Sequence, residues 1–269
     1  MKIILSLSRA ACLPTLLIFT LFIVSATSFG ATFTVSNFND SGPGSLRQAI
    51  SDANDNPNDP GEVDMIVFTT GTGVIPDDGD PGETTFTGEI LITDSVDIVG
   101  PDPDEVNVTA QGTSRIFNIF NPTEDIVVSI TRLTLEQAFS SGGGSGSGGA
   151  IWNREELSID SCEFSENSAE EEGAAIFNDV SGIITSIANT NFLDSMATGN
   201  DGGAILNLGI INVIDDCVFE GSFAEDDGAA IHNENRIDEI TNSLFENNLA
   251  DDKGGAISND SGATIGEIS

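Results

Sequence analysis

The chain holds no tyrosine, one tryptophan, one histidine and three cysteines in 269 residues, and its 8 lysines and arginines face 44 acids. Each scarcity excludes something. With so few cations, nucleic acid and anionic membrane surfaces are excluded as partners, because phosphate binding needs positive charge gathered on one face. The mature cations, Arg47, Arg115, Arg132, Arg154, Arg236 and Lys253, form no run suited to an acidic polysaccharide. One Trp and no Tyr leave few rings for sugar stacking. No Ser/His/Asp set, zinc-type spacing or phosphate-cradling Gly loop is present. No segment has an apolar stripe of helical period long enough for a helical solenoid.

What the chain has in quantity is repetition. Gly148-Gly149-Ala150-Ile151-Trp152-Asn153 returns in altered form at Gly173, Gly202, Gly228 and Gly254, and the isoleucines Ile151, Ile176, Ile205, Ile231 and Ile257 lie 25, 29, 26 and 26 residues apart. Between these phrases, Ile159, Ile187, Ile214 and Ile240 each precede Phe164, Phe192, Phe219 or Phe245 by five residues. Three residues after each Phe stands Asn167, Ser195, Ser222 or Asn248, and two further on an alanine. A fixed period of this size marks a solenoid whose units bury their apolar faces only against each other.

Short runs alternate with period two and are broken by Gly, Asn or Asp, so each unit reads as one coil of a parallel β-helix with three strands and three turns. Coils then stack about 4.8 Å apart. Ile and Phe point inward onto their own kind, Ala fits the sharp corners, and Gly supplies positive φ. The Asn after each Gly-x-Ala-Ile is expected in the left-handed region, bonded to its equivalents as a ladder. His232 fills the slot also held by Trp152, Phe177, Leu206 and Ser258 and reads as a wall residue rather than a base.

These phrases resemble the repeats of polymorphic outer-membrane proteins, defined by Gly-Gly-Ala-Ile and Phe-x-x-Asn. Here Ser195 and Ser222 replace two of the asparagines, and Ala174 and Ala229 two of the glycines. The resemblance implies an all-β, right-handed parallel β-helix of the pectin lyase-like type. It further implies export to the cell surface, outer membrane or beyond, and adhesion rather than catalysis.

In chain order, residues 1–30 read as a signal peptide: Lys2 and Arg9, then an apolar run from Leu13 to Val24, then small residues, with cleavage after Ala26 or Gly30. Cys12 belongs to this leader. Residues 31–88 form an N-terminal cap and loop. Leu46, Ala49, Ile50 and Ala53 share one face of a short capping helix, with Ser45 and Gln48 as its capping box. This segment resembles exported β-helix proteins with a Cys-Ser-Leu-Arg-Glu-Ala-Ile signature, with Gly44 and Gln48 in place of the Cys and Glu. Thr69 to Glu83 reads as a solvated loop. From Glu89 about two irregular coils precede the regular ones, and residues 89–269 make the β-helix, incomplete at its C-terminal end. Ser140 to Gly149 reads as a flexible excursion.

The acids cluster just before each Gly-x-Ala-Ile, and stacking would place them on one edge. Glu171, Glu172, Asp201, Asp226, Asp227, Asp251 and Asp252 are the candidates there for calcium, against the plainer reading of a solubilising surface. No other cofactor is implied. Cys162 and Cys217 occupy one inward column with Thr190 between them. Two rungs part them by about 10 Å, too far for a disulfide. The functional expectation is a surface scaffold without catalysis whose partner is a glycan or protein at the surface. The competing expectation is a β-helix polysaccharide lyase or hydrolase, and the third a purely structural layer. Oligomeric state is not legible.

Overall fold

A computed structural model describes residues 30–56, 58, 61–69, 83–85, 88–101, 106–142 and 146–269. The leader, up to residue 29, and most of the predicted Asp/Pro/Gly loop lie outside the described residues. The rest is a parallel β-solenoid built from four walls, all of whose strand pairs run parallel. One regular coil shows the order. Ile151–Asn153 lies in an asparagine wall, Glu156–Asp160 in a broad wall, Glu163–Ser165 in a phenylalanine wall and Ser168–Ala169 in an alanine wall. Among the described residues the walls hold seven, nine, seven and five strands respectively. A regular coil therefore has four strands where three were expected. The added strand spans two residues, too few for an alternation to show.

Two strands, Thr32–Val35 and Asp64–Phe68, already stand in the broad wall, so that sheet starts well before Glu89. The helix Leu46–Asn54 buries Leu46, Ala49, Ile50 and Ala53 as the pattern predicts. Only half of the capping box forms. Ser45 Oγ accepts the N–H of Gln48 at 3.1 Å, while the Gln48 amide turns to Asp52 at 2.6 Å. Among the described residues, no helix is long and apolar enough to cross a membrane.

Register puts like on like. Ile176 pairs with Ile205 and Phe192 with Phe219, and the inward isoleucine and phenylalanine columns of the regular coils continue in the same way. Phe164, Phe192, Phe219 and Phe245 form a stack with centroids 4.9, 4.6 and 4.9 Å apart and planes within 8° of parallel. Parallel in-register pairing at the rung spacing brings these inward rings face to face, whereas Trp152 and Phe177, also paired in register, meet edge to face at 72°. Asn153, Asn178, Asn207, Asn233 and Asn259 form the expected ladder, each amide donating to the next at 2.7–2.9 Å. They do so from extended strands and not from the left-handed region, which corrects the sequence reading. The positive φ lies elsewhere. Ser161, Asn189, Asp216 and Asn242, at φ of 50–54°, turn the chain between the broad and phenylalanine walls. An amide that is to point along the solenoid axis needs its strand neighbours to be extended; the turning is left to residues outside the core.

The Gly/Ser run is also corrected. Its residues 146–149 are buried, and the Arg115 guanidinium binds the carbonyls of Ser147 and Gly148, each at 2.8 Å. Cys162 and Cys217 are buried free thiols. Thr190 sits between them, accepting the N–H of Cys162 through its hydroxyl and that of Val218 through its carbonyl.

Candidate functional site

The loops before the last four asparagine-wall strands carry the acids, and backbone bonding fixes how they stack. Gly173 donates to the carbonyl of Asp201, Gly202 to that of Asp227 and Gly228 to that of Lys253. Glu172, Asp201, Asp227 and Lys253 therefore form one column. A second runs through Glu171, Asn200, Asp226 and Asp252, each N–H donating to the carbonyl of the residue before it in the column. Asp251 lies beyond the alanine wall, with its N–H on the carbonyl of Ala224. The first glycine of each loop is obligatory for two reasons. At Gly228 φ is 66°, and a Cβ would lie 2.5 Å from the carbonyl oxygen of Ile231 and 2.9 Å from the Cα of His232. The loop thus lies directly against the outer face of the wall.

On that face three columns run side by side. The central one is the variable slot, Trp152, Phe177, Leu206, His232 and Ser258, paired in that order. On one side stands the Glu172 column. On the other are the residues that follow the ladder asparagines, Arg154, Asp179, Leu208, Glu234 and Asp260; the last four donate their N–H groups to the asparagine carbonyls one coil earlier, and Arg154 donates to that of Ile119.

The seven carboxylates do not act as one set. Lys253 Nζ neutralises the top of the first column, 3.1 Å from Asp227 and 3.6 Å from Asp252. The Asp227 hydrogen bond and charge hold its ammonium above the ordinary lysine range. Glu171 accepts from the Asn200 amide at 3.4 Å, and Asp226 and Asp251 are exposed. Burial, followed by the nearby charges of Asp201, Glu234 and Glu171, pushes Glu172 up to about 7. Burial also raises Glu234, with Asp260 and Asp201 adding to it and the imidazole of His232 opposing it. At this end of the edge Asp201, Glu234 and Asp260 surround one side chain, that of His232.

At the other end of the same face, the few cations gather after all. Arg115 and Arg154 both lie against Trp152, at 4.8 and 4.5 Å from its ring centre. Arg115 is 6% exposed and also binds Glu89 and Ser140. Burial lowers its pKa, with the Glu89 charge opposing. Trp152 Nε1 donates to Asp179 at 3.0 Å. Beside it opens a cleft of about 330 Å³ whose lining includes Glu89, Ser114, Arg115, Asn118, Ser140 and Trp152. Sequence spacing could not show this cluster, because Arg115 comes from an irregular coil with no repeat phrase.

A family model describing the Chlamydia polymorphic membrane protein repeat matches residues 161–179 and 242–260. Two coils carry that repeat. Each matched segment runs from a left-handed corner residue, Ser161 or Asn242, through a complete Phe-x-x-Asn phrase to the residue after a ladder asparagine. The intervening units, in which Ser195 and Ser222 stand for that Asn, lie outside the matched residues. The repeat and the solenoid together fit a surface-exposed β-helix protein. No curated protein and no solved structure matches the chain.

Proposed function

We propose that this chain is an exported surface scaffold that works by adhesion and not by catalysis. The observation that carries the reading is the polymorphic membrane protein repeat set in unbroken stacked columns. Such columns give a long rigid face on which side chains can vary coil by coil while the core stays constant. The leader of residues 1–30 is the means of export in this reading, and the outer membrane or the medium is the destination. The contact region is the cleft beside Trp152, where the single indole of the chain sits with two guanidinium groups. An aromatic ring with flanking polar donors suits a sugar or a polar protein loop. Among the described residues that line the cleft, Glu89 is the one carboxylate, and it is engaged with Arg115 and with Asn118 at 3.0 Å, whereas glycoside hydrolysis needs two.

The test is a panel of neutral and acidic glycans, scored for both retention and shortening. The reading expects retention without shortening, weakened at least tenfold by Trp152→Ala. Cleavage of any glycan by the purified chain would overturn it in favour of a β-helix lyase or hydrolase.

A further inference from the structure

His232 is 1% exposed, and neither of its ring nitrogens has a hydrogen-bond partner. A buried imidazole ordinarily satisfies at least one. Its Nε2 faces three carboxylates instead: Asp201 Oδ2 at 3.9 Å, Glu234 Oε1 at 3.8 Å and Asp260 Oδ1 at 3.7 Å. These distances are too long for hydrogen bonds. They lie close to the separation of about 3.4 Å that two ligands keep around one tetrahedral ion with bonds of about 2.1 Å. Asp201, His232 and Glu234 offer ligand atoms all within 4.8 Å of one another, and Asp227, His232 and Asp260 do the same. One oxygen of Asp227 is buried and likewise unpartnered.

We propose that His232, Asp201 and Glu234 bind a divalent first-row transition ion of the zinc type, with Asp260 closing the site from the next coil. The imidazole decides the class of ion. Calcium takes oxygen ligands, whereas a neutral ring nitrogen with carboxylates suits zinc and its neighbours. The acidic edge elsewhere is all oxygen and partly neutralised by Lys253. Glu234 and Asp260 are exposed and give the ion a way in. The ligands come from three successive coils, so the ion acts as a clasp along the solenoid axis.

The full chain is titrated with zinc chloride and, at matched ionic strength, with calcium chloride, following heat and melting temperature. Cobalt(II) serves as the spectroscopic probe. One zinc per chain, a raised melting temperature and the visible absorption of four-coordinate cobalt are expected. His232→Ser, which installs the residue that Ser258 supplies one coil on, should weaken zinc at least about 100-fold, since outer-shell partners of metal ligands already cost 10–100-fold. Glu234→Gln should weaken it too. Absence of stoichiometric zinc binding, unchanged zinc affinity in His232→Ser, or calcium stabilising as well as zinc would each overturn the site. Should His232→Ser misfold, the cobalt spectrum of the unaltered chain decides: without the four-coordinate bands there is no site. Glycan retention is read separately, so loss of one reading leaves the other standing.

Discussion

The corner after each repeated phenylalanine shows how one side chain can tie two coils. Asn167 accepts the N–H of Ala138 at 3.0 Å and donates to the carbonyl of Leu135 at 2.9 Å; Asn248 does the same to Ser222 at 3.0 Å and Phe219 at 2.8 Å. Ser195 and Ser222 are too short to reach, and their buried hydroxyls have no partner. Ser195→Asn should therefore gain the bonds to Asn167 and Phe164 and stabilise the chain by about 1 kcal/mol, read as a rise in the denaturant midpoint at constant slope. No gain would mean the corner differs between coils. The thiols give a second prediction. Burial pushes Cys162 up to about 12 and Cys217 up to about 11, so both are protonated and sealed at neutral pH. Alkylating agents should label neither in the folded chain. Because both folded values are raised, stability is full below the free thiol range near 9 and should fall as pH climbs from there, since only the unfolded chain ionises. Residue-scale roles were largely legible in the sequence wherever residues recur, as the asparagines and phenylalanines do. The corner function of Asn167 was not, because spacing alone does not say which carbonyl an amide reaches.

At the scale of strands and walls, the ladder is continuous and central. Asn207→Ala removes a rung between Asn178 and Asn233, both fully buried, and leaves polar atoms facing a methyl group. The expected loss is about 1–3 kcal/mol, and equal stability of this variant in equilibrium unfolding would show the ladder to be decorative. Phe192→Ala, in the middle of the ring stack, should cost about 3–5 kcal/mol, more than the same change at the half-buried Phe245. The stacked columns, inward isoleucines and capping helix followed from periodicity. The fourth wall and the site of left-handed turning did not. A two-residue strand carries no period, and Ser161, Asn189, Asp216 and Asn242 share a backbone shape while only two of them share a side-chain type.

For the molecule as a whole, charge sets the conditions. A formal net charge of −36 sits on a fold that stacks acids in register, so added sodium chloride should raise the melting temperature steadily as the screening length shrinks below the coil-to-coil spacing. A flat response would mean that the acidic columns repel too weakly to matter. The candidate metal site belongs to this scale, which explains why the sequence pointed to Asp201 alone of its four residues and left His232 as a wall residue. Positions 201, 232, 234 and 260 become neighbours only once three coils are stacked. The one available signal was an acid directly after the ladder asparagine in two consecutive units, Asn233-Glu234 and Asn259-Asp260.

The columns of identical residues have a further consequence for heredity. Because the floor and ceiling of a regular coil are interchangeable, unequal crossing-over between repeats should yield longer or shorter descendants that still close every contact. Copying residues 205–230 in tandem should lengthen the rod by one storey of about 4.8 Å and leave its girth unaltered. Height then becomes a heritable quantity that mutation can adjust in whole steps, without any new core having to be invented.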